Sequence, residues 1–310
     1  MIRSICLNPA IDRVYYIDSF TVGKQYRGNI PQIYIGGKGI NVAKVCASLG
    51  ESVAVYGFLG GKTGKLVYDE MCRYGCENNF IEVDGETRTT INIIDHLPKK
   101  ETEIIEKGPA VSAAHIKKFM GKLESDIRRD DVVICSGLSI PGAPRDIYIK
   151  ISSLCAQAGA KCFLDTNGEN LRQSIGGEYY LFKPNRQELL SLYSVKDEKD
   201  INRIREMASA LIAKSVKNVL VSLGKNGALF VTENVCYKID IPTVNVINTI
   251  GCGDCSVAGY AAGIERGYSL EATLRFSMAC GVANSMHAGI CEIDPDSLNG
   301  LMEEIILNKA

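Results

Sequence analysis

The sequence has no long apolar run, no surplus of either charge, and no standard nucleotide-binding signature. No stretch reaches the ~20 apolar residues of a membrane span, and residues 1–5 lack a signal-peptide core, so a cytoplasmic protein without membrane contact is expected. Lys and Arg number 35 and Asp and Glu 36, interspersed to a net charge of -1, which leaves no basic face for nucleic acid. No P-loop is closed at Walker spacing, and GxGxxG is not met. A nicotinamide-dependent oxidoreductase is disfavoured for a related reason, because no acid follows a GxGxxG unit at the usual ~20-residue distance. Internal repeats, low-complexity tracts and Pro/Ser-rich linkers are also missing. With 310 residues and 46% hydrophobic content, the chain can bury a full core as one large domain.

Twelve cysteines are present, scattered through apolar segments such as Val45-Cys46-Ala47 and Val133-Ile134-Cys135. They read as small buried hydrophobes in a reducing compartment. Cys252 and Cys255 have CxxC spacing, but no second pair or neighbouring histidine completes a zinc set. His96 and His115 carry no chemical context.

The segment Asn248-Thr249-Ile250-Gly251-Cys252-Gly253-Asp254 precedes an apolar helical pattern at 255–264. Gly251 and Gly253 allow a tight turn in which successive amides aim at one spot, and a helix start adds unpaired N–H groups and a positive dipole end. Phosphate suits such a place. Asp254 beside it can accept the proton of an attacking hydroxyl, as a phosphoryl transferase requires, although an Asp after a glycine turn can also be a plain helix cap. A second glycine turn, Gly36-Gly37-Lys38-Gly39-Ile40-Asn41, precedes a helical pattern at Val42, Val45, Cys46 and Leu49. Two such turns imply two ligands.

Together these segments resemble the paired signatures of the ribokinase-like, PfkB-type carbohydrate kinases, and within them the branch acting on tagatose 6-phosphate and fructose 1-phosphate. Supporting matches run through Leu7-Asn8-Pro9-Ala10-Ile11-Asp12, Gly57-Phe58-Leu59-Gly60-Gly61, Thr87-Arg88, Thr102-Glu103-Ile104, Lys183-Pro184-Asn185, Val221-Ser222-Leu223-Gly224 and Gly227-Ala228. The resemblance implies an ATP-dependent enzyme with Mg2+ that phosphorylates a ketohexose phosphate at a primary hydroxyl. A kinase of a non-phosphorylated sugar or nucleoside, and a non-catalytic sugar-phosphate sensor, stay open as alternatives.

Short β-branched runs at 2–7, 52–56, 131–135, 161–164, 180–183 and 218–222 alternate with helical patterns at 62–74, 113–127, 144–158, 199–213 and 270–287. That order predicts an α/β fold, a largely parallel central sheet flanked by helices. Segments 14–35 and 90–106 alternate polar and apolar residues and read as extra strands. The resemblance makes them a small β-sheet lid over the sugar site, in a single kinase domain spanning 1–310 that forms a homodimer through the lid.

Site roles follow. Asp254 is the general base, and the amides of Gly251, Cys252 and Gly253 join its own around the migrating phosphoryl group. The acceptor would be bound by Asp12, Gly36, Gly37, Lys38, Asn41 and Arg88, with Lys38 and Arg88 as the cations for its distal phosphate and Lys24 or Arg27 as possible additions. Arg88 is the preferred clamp because its planar fork matches phosphate oxygens. Asn41, at a helix start, could instead cap. Lys183, Asn185, Ser222, Gly224, Gly227 and His287 are assigned to the nucleotide, and Glu188 to the metal, for which one carboxylate suffices because magnesium keeps several waters. Asn185 and Glu188 also have the spacing of a capping box. One departure stands at Leu138, where the family often has a serine.

Overall fold

A computed structural model describes residues 1–27, 31–95, 97 and 100–309. The first half contains strands β1 (Ile2–Cys6), β2 (Ala10–Tyr16) and β3 (Gln32–Gly36), helix α1 (Lys38–Ser48), β4 (Val53–Leu59), α2 (Gly61–Arg73), β5 (Glu77–Glu82), β6 (Arg88–Asp95), β7 (Lys100–Ile105) and α3 (Ala113–Asp126). Next come β8 (Val132–Ser136), α4 (Ile147–Ala158), β9 (Lys161–Asp165), α5 (Gly168–Gln173), β10 (Tyr179–Phe182), α6 (Arg186–Leu192), α7 (Ile201–Ile212) and β11 (Val216–Ser222). The chain closes with β12 (Ala228–Val231), β13 (Cys236–Asp240), α8 (Cys252–Glu265), α9 (Leu270–Ser285), α10 (Leu298–Glu304) and β14 (Ile306–Lys309).

Strands β1, β4 and β8 are buried along their whole length. Helices cover both faces of the sheet, which is why these strands read as continuous apolar runs rather than alternating ones. The ten-stranded sheet has the order β14-β13-β12-β11-β10-β9-β8-β1-β4-β5. It is parallel from β5 to β11 and antiparallel beyond. One core lies between the sheet and α1, α8 and α9, and a second under α3, α4 and α7. From β1 the chain builds outward to β4 and β5, then returns to lay β8 on the other side of β1. Ligands bind at the carboxyl ends of strands where such a reversal opens a crevice. Here those ends carry Asn8, Gly137 and Asp165.

The smaller sheet has the order β3-β2-β6-β7, with β2 and β6 parallel and Asp12 opposite Thr90. Its strands begin at Ala10 and Arg88, earlier than the 14 and 90 read from alternation. Ala10 and Ile11 are both buried, so the two-residue polar/apolar period fails at that end. Only three residues separate β1 from β2, so Asp12 rides on the lid rather than on the main sheet.

Strands β5 and β12–β14 and helices α5 and α10 had no counterpart in the sequence reading, and α6 had only the capping-box spacing at its start. β5 reads Glu-Asn-Asn-Phe-Ile-Glu and is a polar edge strand. His115 completes the α3 capping box, its Nδ1 accepting from the Ser112 amide at 3.2 Å. His96 lies outside the described residues. Gly61-Lys62-Thr63 opens α2, but the Lys62 and Thr63 amides donate to the Glu86 carboxylate at 3.2 and 2.9 Å, so that helix mouth is filled. Among the described residues no helix is long and apolar enough to cross a membrane.

Candidate active site

A cavity of about 470 Å³ opens where the lid faces the carboxyl ends of the parallel strands, and it is lined by Asp12, Lys38, Asn41, Arg88, Lys183 and Asp254. Gly37, Asn185, Glu188, Ser222, Gly251 and Gly253 complete the assigned residues around it.

Helix α8 starts on Gly251, which is left-handed at φ 83, a conformation glycine adopts at no steric cost. No side chain caps this end. The amides of Gly251, Gly253 and Asp254 have no acceptor among the described residues, whereas the Cys252 amide is turned back to Thr249 O at 3.4 Å. Three of the four expected amides are therefore open. Asn284, which sequence reasoning missed, anchors this turn: its Nδ2 donates to Ile250 O at 2.9 Å and to Cys252 Sγ at 3.2 Å, and its Oδ1 accepts from the Cys291 amide at 2.7 Å. Cys252 itself does not line the cavity; burial pushes its thiol pKa up.

Asp254, in the first turn of α8, is 5% exposed. Its Oδ2 accepts from Asn41 Nδ2 at 2.8 Å. Burial raises the carboxyl from 3.8 to about 6, against the pull of Lys38. Asn41 therefore does not cap its helix: its Nδ2 holds Asp254, and its Oδ1 accepts no hydrogen bond among the described residues and lies on the cavity wall.

Lys38 and Lys183 converge on Asp165, with Nζ–Oδ1 distances of 3.0 and 3.5 Å. Asp165 is 1% exposed at the end of β9. Its burial would raise its pKa, but Lys183 and Lys38 outweigh that and hold it below the usual carboxylate value. Burial works against the charge on Lys38 as well, yet Asp165, Asp254 and Glu188 raise its pKa well above the ordinary one. Lys183 Nζ reaches Gly253, 3.3 Å from where a Cβ would stand there. Lys38 was grouped with Arg88 for the distal phosphate; it lies instead among the acids at the α8 mouth, because the start of α1 faces the end of β9.

Arg88 is at the other end and is 9% exposed, which excludes a surface role. Its Nε donates to Asn8 O at 3.2 Å, leaving the terminal nitrogens without a hydrogen-bond acceptor among the described residues. Asp12 has a raised pKa because of burial, countered by Thr90, Arg88 and Lys44. Gly36 does not line the cavity, but a Cβ there would collide with the Asp12 carboxylate, so glycine is what lets the lid strand close on that acid. Glu103, unassigned from sequence, lines the cavity opposite Arg88, and Leu138 supplies an apolar wall. Lys24 and Arg27 are exposed on the loop after β2 and do not line it.

At the remaining end, Asn185 and Glu188 form a reciprocal capping box: Asn185 Oδ1 accepts from the Glu188 amide at 2.8 Å, and Glu188 Oε2 from the Asn185 amide at 2.7 Å. The cap leaves Glu188 Oε1 without a hydrogen bond among the described residues and the side chain on the cavity wall. Gly224, Gly227 and His287 lie outside the lining. At Gly227 a Cβ would strike Ile239 O, so this glycine serves the close approach of β13. His287 is half-buried just past α9.

Comparison with known proteins finds similar chains along nearly the whole length. The tagatose-6-phosphate kinase of Staphylococcus epidermidis is 31% identical over 307 residues, covering 98% of this chain and 98% of that one. The 1-phosphofructokinase of Bacillus subtilis is 32% identical over 289 residues, with 92% of each chain covered. The structure of phosphofructokinase-2 from Escherichia coli in complex with substrates and products superimposes with a TM-score of 0.89 at 25% identity, covering 97% of this chain and 98% of that one. Residues 5–296 match the pfkB family carbohydrate kinases, and the chain belongs to that family.

Proposed function

We propose that the protein transfers the terminal phosphoryl group of ATP to a primary hydroxyl of a ketohexose phosphate, tagatose 6-phosphate or fructose 1-phosphate. The observation that carries this reading is the Asp254 carboxylate, beside three open amides at the head of α8 and in one cavity with Lys38 and Lys183. The similar kinases act, by name, on these two kinds of sugar phosphate.

In this reading Asp12 accepts from sugar hydroxyls, and Arg88 grips the acceptor's own phosphate with its spare nitrogens. Asp254, with a pKa of about 6, is ionised at neutral pH and still basic enough to take the proton of the attacking hydroxyl. Asn41 keeps that carboxylate aimed. Lys38 and the amides of Gly251, Gly253 and Asp254 meet charge developing on the phosphoryl oxygens, and Lys183 meets the nucleotide phosphates. Transfer is direct and in line, so no covalent phospho-enzyme forms. Asn185, Ser222 and the turn at Gly224 border the nucleotide.

Magnesium fits the donors present. Glu188 offers a hard oxygen left over from its cap, and no cluster of three acids or other ligands builds an all-protein cage among the described residues, as suits an ion that keeps waters and shares phosphate oxygens. Bound there, it would neutralise the nucleotide phosphates.

The lid carries Val22 at 91%, Ile33 at 54% and Ile104 at 54% exposure, which supports a homodimer through this sheet within one kinase unit per chain. Ile33→Asp with Ile104→Asp would then sediment as a monomer, and an unchanged sedimentation coefficient would remove the dimer. A cytoplasmic protein without nucleic-acid or membrane partners remains the reading from the balanced charge of the sequence. The function is tested by ADP release with ATP, magnesium and a panel of hexose phosphates, free sugars and nucleosides. Catalytic efficiency at least tenfold higher on a ketohexose phosphate is expected. Preference for a free sugar or nucleoside, or no ADP release at all, would replace this reading.

A further inference from the structure

The lid carries an acid that the reaction proposed above leaves without a task. Glu103 stands in the middle of β7, opposite Asn92 on β6, and Ile105 two residues on stands opposite Thr90, which itself pairs with Asp12 on β2. Side chains two apart along a strand share a face, as do those directly opposite on neighbouring strands. Asp12, Thr90, Glu103 and Ile105 therefore look into the cavity, whose wall they form, while Thr102 and Ile104 point the other way. β7 is an outer strand of this sheet, and the Glu103 carboxylate has no hydrogen bond or ion pair among the described residues. Partial burial and the like charges of Glu101 and Asp12 raise its pKa, against Arg88.

The acceptor end thus holds two carboxylates, Asp12 and Glu103, against one cation, Arg88. A phosphate lying beneath the two acids would be repelled by both. It has a better place: Arg88 also lines an adjoining bay with Lys107 and Arg145, where the one acid, Glu106, already accepts from the Thr89 amide at 2.7 Å. With the phosphate turned that way, the polyol body of the acceptor lies beneath Asp12 and Glu103. Ionised carboxylates only accept hydrogen bonds, and hydroxyls are what a sugar has to donate. We infer that Glu103 is a specificity-determining residue of the acceptor site, a second hydroxyl acceptor beside Asp12 that selects a neutral polyol body with its phosphate at one end. This rests on the kinase reading above and adds the residue that reads a hydroxyl. An acceptor with a carboxylate or a second phosphate in place of that hydroxyl meets like charge and is refused.

The test compares wild type, Glu103→Gln and Glu103→Ala in steady-state ADP release, with the acceptor that the wild type turns over best and with monodeoxy analogues of it. The direction of the change is decisive. An acid that only sits near the phosphate repels it, so removing that acid would lower the KM for the acceptor. A hydroxyl contact predicts the reverse: a KM about 10- to 100-fold higher in Glu103→Ala, the worth of a hydrogen bond to a charged group, and a smaller rise in Glu103→Gln, which keeps the side chain's shape. Turnover should stay within about threefold and the KM for ATP within about twofold. One monodeoxy analogue should lose at least about tenfold in efficiency with the wild type and no more than about twofold with Glu103→Ala, which identifies the hydroxyl. An unchanged or lower KM, or equal losses in wild type and variant for every analogue, overturns the assignment. A wild type that prefers a free sugar or nucleoside replaces the function reading alone, and Glu103 is then judged on that acceptor by the same comparison. A wild type that releases no ADP removes both.

Discussion

Replacing Asp165 by Asn changes one charge and almost no volume, in a residue that touches neither ligand in the proposed reaction. Its carboxylate is 1% exposed and lies 3.0 Å from Lys38 and 3.5 Å from Lys183, so the variant leaves two cations facing each other without their counter-ion. Removing one partner of a buried ion pair costs about 3–5 kcal/mol. A chain of 310 residues has an unfolding entropy near 0.65 kcal/mol/K, so a loss of about 4 kcal/mol lowers Tm by roughly 6 °C at neutral pH. Because the folded-state pKa of Asp165 is depressed, its stabilisation is present above the ordinary value of 3.8 and is lost as pH falls below it. The gap between wild type and variant should therefore close in acid. Catalysis supplies the second readout. Asp165 is one of the groups that raise the Asp254 pKa, and Lys38 is one that lowers it. With Asp165 neutral, the first influence disappears and Lys38 pairs with Asp254 instead. The acid limb of kcat/KM should move below about 6, with a lower maximum because the lysines are no longer aimed. Melting within a degree of wild type together with an unmoved limb would refute the lysine-clamp reasoning.

Asp254→Asn should be the more stable protein at pH 8. A carboxyl raised from 3.8 to about 6 contributes favourably only below 3.8 and loses that as pH rises through 6, a difference on the order of 3 kcal/mol or ~5 °C in Tm. Equal or lower melting of the variant at pH 8, measured by calorimetry, would contradict the burial cost assigned to this group. Arg88→Ala should raise the KM for the sugar phosphate by about 30- to 100-fold, the worth of charge-assisted hydrogen bonds to one phosphate, while the KM for ATP stays within twofold. Arg88→Lys should fall between the two, since it keeps the charge but not the fork. A uniform rise in both KM values would instead indicate a structural role.

The central sheet was legible because its strands are buried on both faces, and a run such as Val132–Ser136 has no other economical reading. β5 escaped because an edge strand with one wet face carries Glu and Asn like a loop. The glycine turns at Gly37 and Gly251 were readable because a positive φ, 101 and 83, restricts the residue type locally. Asp165 was not, since the apolar signal of β9 stops at Leu164 and its lysine partner Lys38 is 127 residues away. Asn41 offered two local readings, cap or sugar ligand. It also holds Asp254, 213 residues on, a contact that only the packing of α1 against α8 creates. Local sequence also could not separate Lys38 from Arg88, two cations beside phosphate-style motifs, because which end of the cavity each serves depends on how the lid hinges after β1. The Asn185–Glu188 spacing gave a cap and a metal ligand as rivals, and the geometry accommodates both, one carboxylate oxygen for each.

The most direct test is the pH profile of kcat/KM for wild type and Asp254→Asn, with both ligand affinities measured in parallel. General-base action predicts a wild-type acid limb near 6, and a variant that binds both ligands, turns over about 10²-fold or more slowly, and has no limb. Near-normal turnover, or the same limb persisting without the carboxylate, would assign the proton to another group.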